Sequence, residues 1–533
     1  MKVAIIAPPY PLEEAPSPPL GVTYVAAAFE AAGADVRIFD YIVSQYSREK
    51  LGRQLEEFNP RVVGATSVTM NFHVAAGIIR DVKEIEPSIM TIMGGPHVSF
   101  DAVNTLERYP EVDLIVIGEG ESTIANLMRV IEDGEDLSSV KGIAFRRGGD
   151  IVVTEPRELI QNLDSLPLPA RHLLPISRYQ ALGFPVSIIT SRGCPNSCIF
   201  CLGRRMVGKR VRNRNALSVA DEIETILGLG FSRINVADDL FTADAVKVHA
   251  VCEEIFSRGL RFSWSAFSRV NTITREMLSI MRKAGCDAIS FGIESGNKDM
   301  LKRIRKGITL EQAREAVQIC KDEGVLAHAS FMVGLPGETP ETLEETKRFA
   351  ESLDIFYGYH FFAPFPGTTV RDRLAMYDIE ILTDDWSRYD ANSAIVRTSA
   401  LTADDMNRFV KDFETRLMGR MNDAIRRYRE GIATEEERSG IEGRLRTEIM
   451  YRILSEDLVE RYGTIGPDDS GSGGNSATGH LCGGITAATG CDAGLVYRTV
   501  ESLVGQGHLV AGESERGRVW NWSTRVGTCS SEH

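Results

Sequence analysis

Cys194-Pro-Asn-Ser-Cys198-Ile-Phe-Cys201 follows the apolar run Pro185-Val-Ser-Ile-Ile-Thr-Ser-Arg192. Three thiols within eight residues, on a loop leaving a strand, mark a metal site or a redox site. A redox pair needs only Cys198 and Cys201 and leaves Cys194 unexplained. Structural zinc takes four ligands, and no second pair of Cys or His follows at a usual spacing. A four-iron cluster also takes four ligands, so three thiolates leave one iron open.

Working outward, the chain has 533 residues, enough for several domains, with 43% hydrophobic and 25% charged residues. It reads as an ordinary globular protein with no apolar run of about 18 residues to span a membrane. The opening Met1-Lys-Val-Ala-Ile-Ile-Ala-Pro-Pro9 is too soon broken by proline to read as a signal peptide, so a cytoplasmic location is expected. A net charge of −14 argues against general nucleic-acid binding. The other cysteines (252, 286, 320, 482, 491 and 529) are scattered and read as buried or incidental thiols.

Residues 1–155 alternate strands and helices. Lys2–Ala7, Asp35–Asp40, Val62–Thr66, Thr91–Met93 and Asp113–Gly118 are apolar strand candidates, with helices such as Leu20–Phe29 and Leu51–Phe58 between them. That spacing predicts a doubly wound, Rossmann-like parallel sheet, whose ligands bind beyond the carboxyl ends of the strands. No G-x-G-x-x-G follows the first strand, which disfavours a dinucleotide. Residues 156–184 hold Pro167, Pro169 and Pro175 and are expected to be an extended, semi-rigid connector rather than a strand or helix.

Residues 185–385 repeat a strand, a strand-end loop and an amphipathic helix, the pattern of a (β/α) barrel with function at the carboxyl ends. Arg233-Ile-Asn-Val-Ala-Asp-Asp239, Phe262–Arg269, Ala288–Glu294, His328–Thr339 and Tyr359–Gly367 are the successive strand ends. The basic run Arg204, Arg205, Lys209, Arg210, Arg212 and Arg214 is either a solvated surface or faces the thiol site or an acidic ligand. Residues 386–465 read as a helical domain, 466–478 as a Gly/Ser linker, and 479–533 as a small winged-helix-like module. From His480 on, four arginines (498, 516, 518, 525) meet five acids (492, 501, 513, 515, 532). That balance disfavours DNA and favours protein contact or intramolecular packing.

The Cys-x3-Cys-x-Phe-Cys loop resembles that of the radical S-adenosylmethionine (SAM) superfamily. Ser67-Val68-Thr69 and Gly94-Gly95 resemble the loops of the cobalamin domain found before many such barrels. The order of domains is similar to the cobalamin-dependent radical SAM family, of the class B C-methyltransferase type. The implied fold is α/β: a cobalamin-binding domain, a partial (β/α)6 TIM-like barrel, a helical C-terminal region and the winged-helix-like tail.

The resemblance implies a [4Fe-4S] cluster on Cys194, Cys198 and Cys201. It implies SAM held by Phe200, Asp238 or Asp239, Ser265, Arg269, Glu294 and Val333. It implies cobalamin, as methylcobalamin, lined by Pro9, Tyr10, Gly21, Ser67, Val68, Thr69, Asn71, Gly94, Gly95, Pro96, His97, Gly118, Glu119, Gly120 and Glu121. The loop after the first strand lacks the Asp-x-His-x-x-Gly that gives cobalt a histidine, so base-off cobalamin without a histidine ligand is expected. No catalytic side chain is assigned.

The implied activity is methylation of an unactivated sp3 carbon with two SAM per turnover, through a 5′-deoxyadenosyl radical and methylcobalamin. The implied partners are a flavodoxin- or ferredoxin-like reductant and a peptide, protein or small-molecule acceptor, for instance a glutamine of methyl-coenzyme M reductase. Anaerobic tetrapyrrole cyclases share the architecture, and a cobalamin-sensing regulator with a winged-helix output is the rival from another class. Methylthiolating enzymes carry an upstream cysteine trio, and no cysteine precedes Cys194 here.

Overall fold

A computed structural model describes residues 1–12, 15–465, 475–514 and 517–524. The first sheet has the order β2-β1-β3-β4-β5-β6-β7, with β1 Lys2–Ala7, β2 Asp35–Asp40, β3 Val62–Thr66, β4 Met90–Gly94, β5 Leu114–Val116, β6 Ile143–Arg147 and β7 Asp150–Val153. Strands β1 to β5 are parallel, and the buried apolar run of β1 fits a central strand covered on both faces. The strand order reverses between β1 and β3, which places a ligand crevice at their carboxyl ends. The antiparallel hairpin β6–β7 adds an edge that the alternating pattern does not announce.

The second sheet is six parallel strands: Val186–Ile188, Arg233–Val236, Ser263–Ser268, Cys286–Glu294, Leu326–Val333 and Phe356–Phe361, paired in chain order. Threonine hydroxyls start the helices between them: Thr274 caps Arg275–Lys283, and Thr309 and Thr339 form capping boxes for Leu310–Glu323 and Pro340–Ser352. Side chains alternate along these strands. Ile234, Trp264, Ile289, Phe291, Ala329 and Phe331 are buried beneath the helices. Asn235, Ser265, Phe267, Ser290, His328, Ser330 and Met332 face the concave side and stay half-buried or exposed. The result is a partial barrel with an open, largely uncharged lumen.

Two boundaries differ from expectation. The connector 156–184 is not merely extended: it contains the helix Ile176–Leu182, whose buried Tyr179 donates its hydroxyl to Asp40 Oδ2 at 2.7 Å. Its prolines set the approach, and burial of Ile176, Tyr179 and Leu182 overrides them as a secondary-structure signal. The linker call on 466–478 falls mostly outside the described residues, and a helix already runs over Asn475–Thr489.

The C-terminal region carries the long helices Ala403–Arg429 and Glu435–Ser455. The tail follows with helices Asn475–Thr489 and Ala493–Gly505 and an antiparallel pair Leu509–Ser514 and Gly517–Trp522, joined by Thr464–Ile465. It docks on the chain itself. Arg452 donates to the carbonyls of Ala488 and Thr489, Ser177 donates to Ser523 O, and the Arg178 guanidinium lies 5.4 Å from the Trp522 ring. No helix among the described residues is long and apolar enough to cross a membrane.

Candidate active site between the two sheets

The thiol loop leaves the first barrel strand and is tied down from two sides. Ile199 N donates to Ile304 O at 3.1 Å, and Val370 N donates to Ile199 O at 3.2 Å. Cys194, Cys198 and Cys201 are free and line one cavity of about 410 Å³. Each sulfur faces an N–H donor: Asn196 Nδ2 at 3.4 Å from Cys194, Arg269 Nη1 at 3.6 Å from Cys198 and Gly203 N at 3.4 Å from Cys201. Such donors stabilise thiolate charge and tune a cluster held by it. Three thiols lining one cavity are a donor set that fits a cluster.

On the lumen side of this loop the expected SAM residues separate into two groups. Arg269 is buried, reaches Cys198 and also donates to Lys306 O. Glu294 holds a left-handed φ of 73° beside a register shift in its strand, a conformation that costs a non-glycine residue about 1–3 kcal/mol. Its carboxylate pairs with Lys306 Nζ at 2.7 Å, and Lys306 lies 5.7 Å from the Phe200 ring. Arg269, Glu294, Phe200 and Cys198 therefore meet around Lys306. Nothing in the sequence marked Lys306, because a lysine after a short helix resembles any surface lysine.

The paired acids at the second strand end divide their work. Asp238 is buried and saturated: it accepts from Thr190 N at 2.6 Å, Thr190 Oγ1 at 2.5 Å, Ser191 Oγ at 2.6 Å and Lys247 Nζ at 3.3 Å. It braces the strand before the cysteines. Asp239 is exposed and accepts from Gly193 N at 3.1 Å, one residue from Cys194, so it is the acid open to a ligand. Ser265 lies in the lumen, bonded to Asn235. Val333 is a correction: it is fully buried on the helix-covered face with Ala329 and Phe331, and the neighbouring lumen position belongs to Met332. The strand alternation that decides this was readable only once its register was fixed.

In the first domain, Ser67, Thr69, Asn71 and His97 are buried together at the ends of β3 and β4. Asn71 Oδ1 accepts from Val68 N at 3.0 Å and shapes the loop. Gly95 sits at φ 102°, and a Cβ there would lie 2.6 Å from Ser67 O. Gly95→Ala is expected to lower stability by roughly 1–3 kcal/mol, read as a fall in Tm, and to weaken hydroxocobalamin binding in an equilibrium titration. Ser67 Oγ and His97 Nε2 are buried without a partner. Such groups normally find one, so the crevice is shaped for a polar ligand. Burial pushes His97 down to about 4, so the ring is neutral. It lies tilted against Phe72 at 4.2 Å and meets Trp386 edge-on at 5.0 Å, and Nδ1 is 3.3 Å from Thr69 Oγ1. Pro9, Tyr10, Gly94, Pro96, Gly118 and Gly120 lie on the same strand-end loops, and Gly21 is exposed on the first turn of the helix Leu20–Ala31.

Glu119 and Glu121, expected to line the cobalamin crevice, both pair with barrel arginines. Glu119 bonds Arg192 at 3.2 Å, Arg212 at 2.8 Å and Ile160 N at 2.9 Å, and Glu121 bonds Arg192 at 2.6 Å. Arg212 and Arg214 of the basic run are buried in ion pairs, Arg214 with Glu222, while Arg204 and Arg205 line the thiol cavity. The Glu119 clamp joins the carboxyl end of β5 to the residue before the cysteine loop. On the other flank, Gly367 abuts the Phe100 ring and Trp386 meets His97 edge-on. These contacts and the clamp tie the strand-end loops of the first sheet to the second domain.

Residues 188–350 match the family model of the radical SAM superfamily, and residues 14–128 that of the B12 binding domain. An uncharacterized methyltransferase of Pyrococcus horikoshii is 33% identical over 421 residues, covering 77% of this chain and 91% of the relative. The chain belongs to the cobalamin-dependent radical SAM family. Its fold is similar to that of the cobalamin-dependent SAM radical enzyme OxsB with aqua-cobalamin and SAM bound, with TM-score 0.68 at 18% identity over 97% of this chain and 82% of that one. The anaerobic magnesium-protoporphyrin IX monomethyl ester cyclase of Cereibacter sphaeroides is 32% identical over 408 residues, 73% of this chain and 65% of the cyclase. For a cobalamin-dependent radical SAM enzyme the donor sets fit: three thiols around a cavity, and a buried polar crevice opposite.

Proposed function

We propose that this radical SAM enzyme methylates an sp3 carbon of a neutral acceptor, consuming two SAM per turnover. The observation that carries the reading is the Glu119–Arg192–Arg212 clamp, which ties the strand-end loops of the first domain, where the buried Ser67–His97 crevice lies, to the residues just before the cysteine loop. When bound, the cluster with SAM supplies hydrogen abstraction and cobalamin supplies the methyl group. The chain contributes position and dryness. Cys194, Cys198 and Cys201 would hold the cluster, Arg269 and Asp239 would meet the two charged ends of the SAM methionine, and Glu294, braced by Lys306, would accept from ribose hydroxyls. Ser67, Thr69 and Gly95 would line the cobalamin tail. The lumen residues Asn235, Ser265, Phe267, Ser290, Ser330 and Met332 are uncharged, which suits an acceptor whose reacting part is neutral. An amide-bearing side chain such as peptidyl glutamine meets that requirement, as do neutral small molecules.

The cyclase likeness supports a second reading, in which hydrogen abstraction leads to ring closure without methyl transfer. One assay separates the two. Reconstituted protein is incubated anaerobically with SAM, hydroxocobalamin, reductant and acceptor candidates, so that SAM is the only methyl source. Methyl transfer predicts 5′-deoxyadenosine and S-adenosylhomocysteine accumulating together. 5′-Deoxyadenosine alone, at any acceptor concentration, rejects it in favour of cyclisation.

A further inference from the structure

Nothing in the chemistry above uses the C-terminal module, yet its contacts converge on one side of the cofactor crevice. The crevice opens at the carboxyl ends of β1 and β3, so the loop after β1 is one of its walls. That loop has few means of holding itself. Six of the twelve residues 8–19 are proline and bring no N–H to a backbone bond. Support reaches it from 441 residues away, where the Tyr451 hydroxyl donates to Tyr10 O at 3.0 Å. Tyr451 sits on the helix Glu435–Ser455, and the next residue, Arg452, donates to Thr489 O at 2.7 Å and Ala488 O at 3.0 Å. Neighbouring residues of one helix thus hold the cofactor domain and the tail.

The loop after β2 is fastened by the same module. Asp457, at a left-handed φ of 48° just past that helix, accepts from Gln45 N at 3.1 Å and pairs with Lys50 at 2.7 Å. Arg178 of the connector helix donates to Val43 O at 3.0 Å, pairs with Glu460 and faces the Trp522 ring of the tail. The side chains of Arg178 and Asp457 are 16% and 15% exposed, so these contacts are largely sheltered from solvent screening.

We propose that the C-terminal module braces the cobalamin crevice from outside, with Tyr451 as its positioning residue, and that cofactor binding and docking of the tail are coupled through it. This role goes beyond methyl transfer and requires only that cobalamin occupy the crevice. The Tyr451 hydroxyl fixes a carbonyl of a loop poor in donors of its own. The free protein then already holds that wall in place, and less ordering is left for the binding step. Coupling of this kind is reciprocal: a module that favours cofactor binding is itself held more firmly once the cofactor is bound.

The test uses the full chain with its cluster reconstituted, and hydroxocobalamin as the probe. Tyr451→Phe removes one hydroxyl and keeps the ring, while Arg452→Met removes the two bonds to the tail. Each is expected to weaken the hydroxocobalamin Kd about threefold to tenfold in an equilibrium titration, the span of one lost hydrogen bond, while the calorimetric Kd for SAM stays within about twofold of wild type. Arg498→Gln, at an exposed position 3.7 Å from Glu442, is expected to leave both constants unchanged. In the wild type, hydroxocobalamin is expected to slow amide hydrogen exchange across Asn475–Thr489 and Ala493–Gly505, and Tyr451→Phe to reduce that protection. Unchanged hydroxocobalamin Kd values in both variants, with circular dichroism showing them folded, overturn the brace. Tail exchange that ignores the cofactor in the wild type overturns the coupling, and that measurement needs no variant. An equal loss of SAM affinity in Tyr451→Phe makes the residue a general support of the fold and overturns its role at the crevice. Failure of the wild type to bind hydroxocobalamin overturns the crevice assignment and the brace with it, an outcome separate from the products of the SAM assay.

Discussion

In a Cys198→Ala variant, 5′-deoxyadenosine formation is expected to fall to background and bound iron to fall with it. Three thiols are all the loop supplies, and none of the other cysteines among the described residues lines the thiol cavity. Cys252, Cys286 and Cys320 are fully buried beneath the barrel. Burial pushes the Cys252 and Cys320 thiols up to about 12, so they stay protonated and inert as ligands. Cys482 and Cys491 belong to the tail helices and their connection. Removing Cys198 also leaves Arg269 without the sulfur its guanidinium faces. The check is iron content with the SAM cleavage assay, alongside circular dichroism to establish that the fold survives. Full cleavage activity in a folded Cys198→Ala protein would reject the three-cysteine cluster.

The second large effect lies in the clamp between domains. Glu119→Ala is expected to cost about 3–5 kcal/mol, because it leaves Arg192 and Arg212 buried without their shared counter-charge. Side-chain exposures of 4% for Glu119 and Arg212 and 9% for Arg192 put the trio in the class where removing one partner is severe. Glu119→Ala/Arg212→Met is expected to recover part of the loss, since the pair is then removed together. Calorimetric Tm values of the three proteins are the measurement, and a Glu119→Ala protein as stable as wild type would show the clamp to be idle.

The same carboxylate gives a pH dependence. Burial alone would raise the Glu119 carboxyl, and hydrogen bonds from Arg212 and Ile160 N together with the Arg192 charge outweigh it, holding it below its ordinary value. A depressed acid contributes stability that is fully present above its unfolded pKa of about 4.3 and is lost as pH falls through the lower folded value. The wild type is therefore expected to lose stability on the acid side of about pH 4.3, and Glu119→Gln to flatten that limb.

The sequence made some of these features legible and hid others for identifiable reasons. The alternation of strands and helices over residues 1–155 predicted a parallel sheet, and strands β1 to β5 form it. The hairpin of Ile143–Arg147 and Asp150–Val153 escaped because it departs from the alternating strand–helix pattern. Glu119 and Glu121 follow a glycine at a strand end, as ligand-binding residues often do. Only their arginine partners, 71 to 93 residues further along the chain, reveal that they fasten two domains. Asp238 and Asp239 are equivalent in sequence and opposite in space, because Thr190, Ser191 and Lys247 all converge on one of them.

What the sequence determined by itself was the chemistry available. Three cysteines at that spacing leave a vacancy in a four-ligand cluster, and the order of strand-end motifs behind them makes a barrel. Local spacing is enough for this, since ligands within eight residues share a loop. What only the tertiary structure decided was which charged residues serve that chemistry and which hold the molecule together. Lys306 beside Glu294 and the clamp of Glu119 both depend on pairings between separate segments. Charge is a property of a residue, but its use depends on what lies within about 4 Å, and that distance is set by the fold.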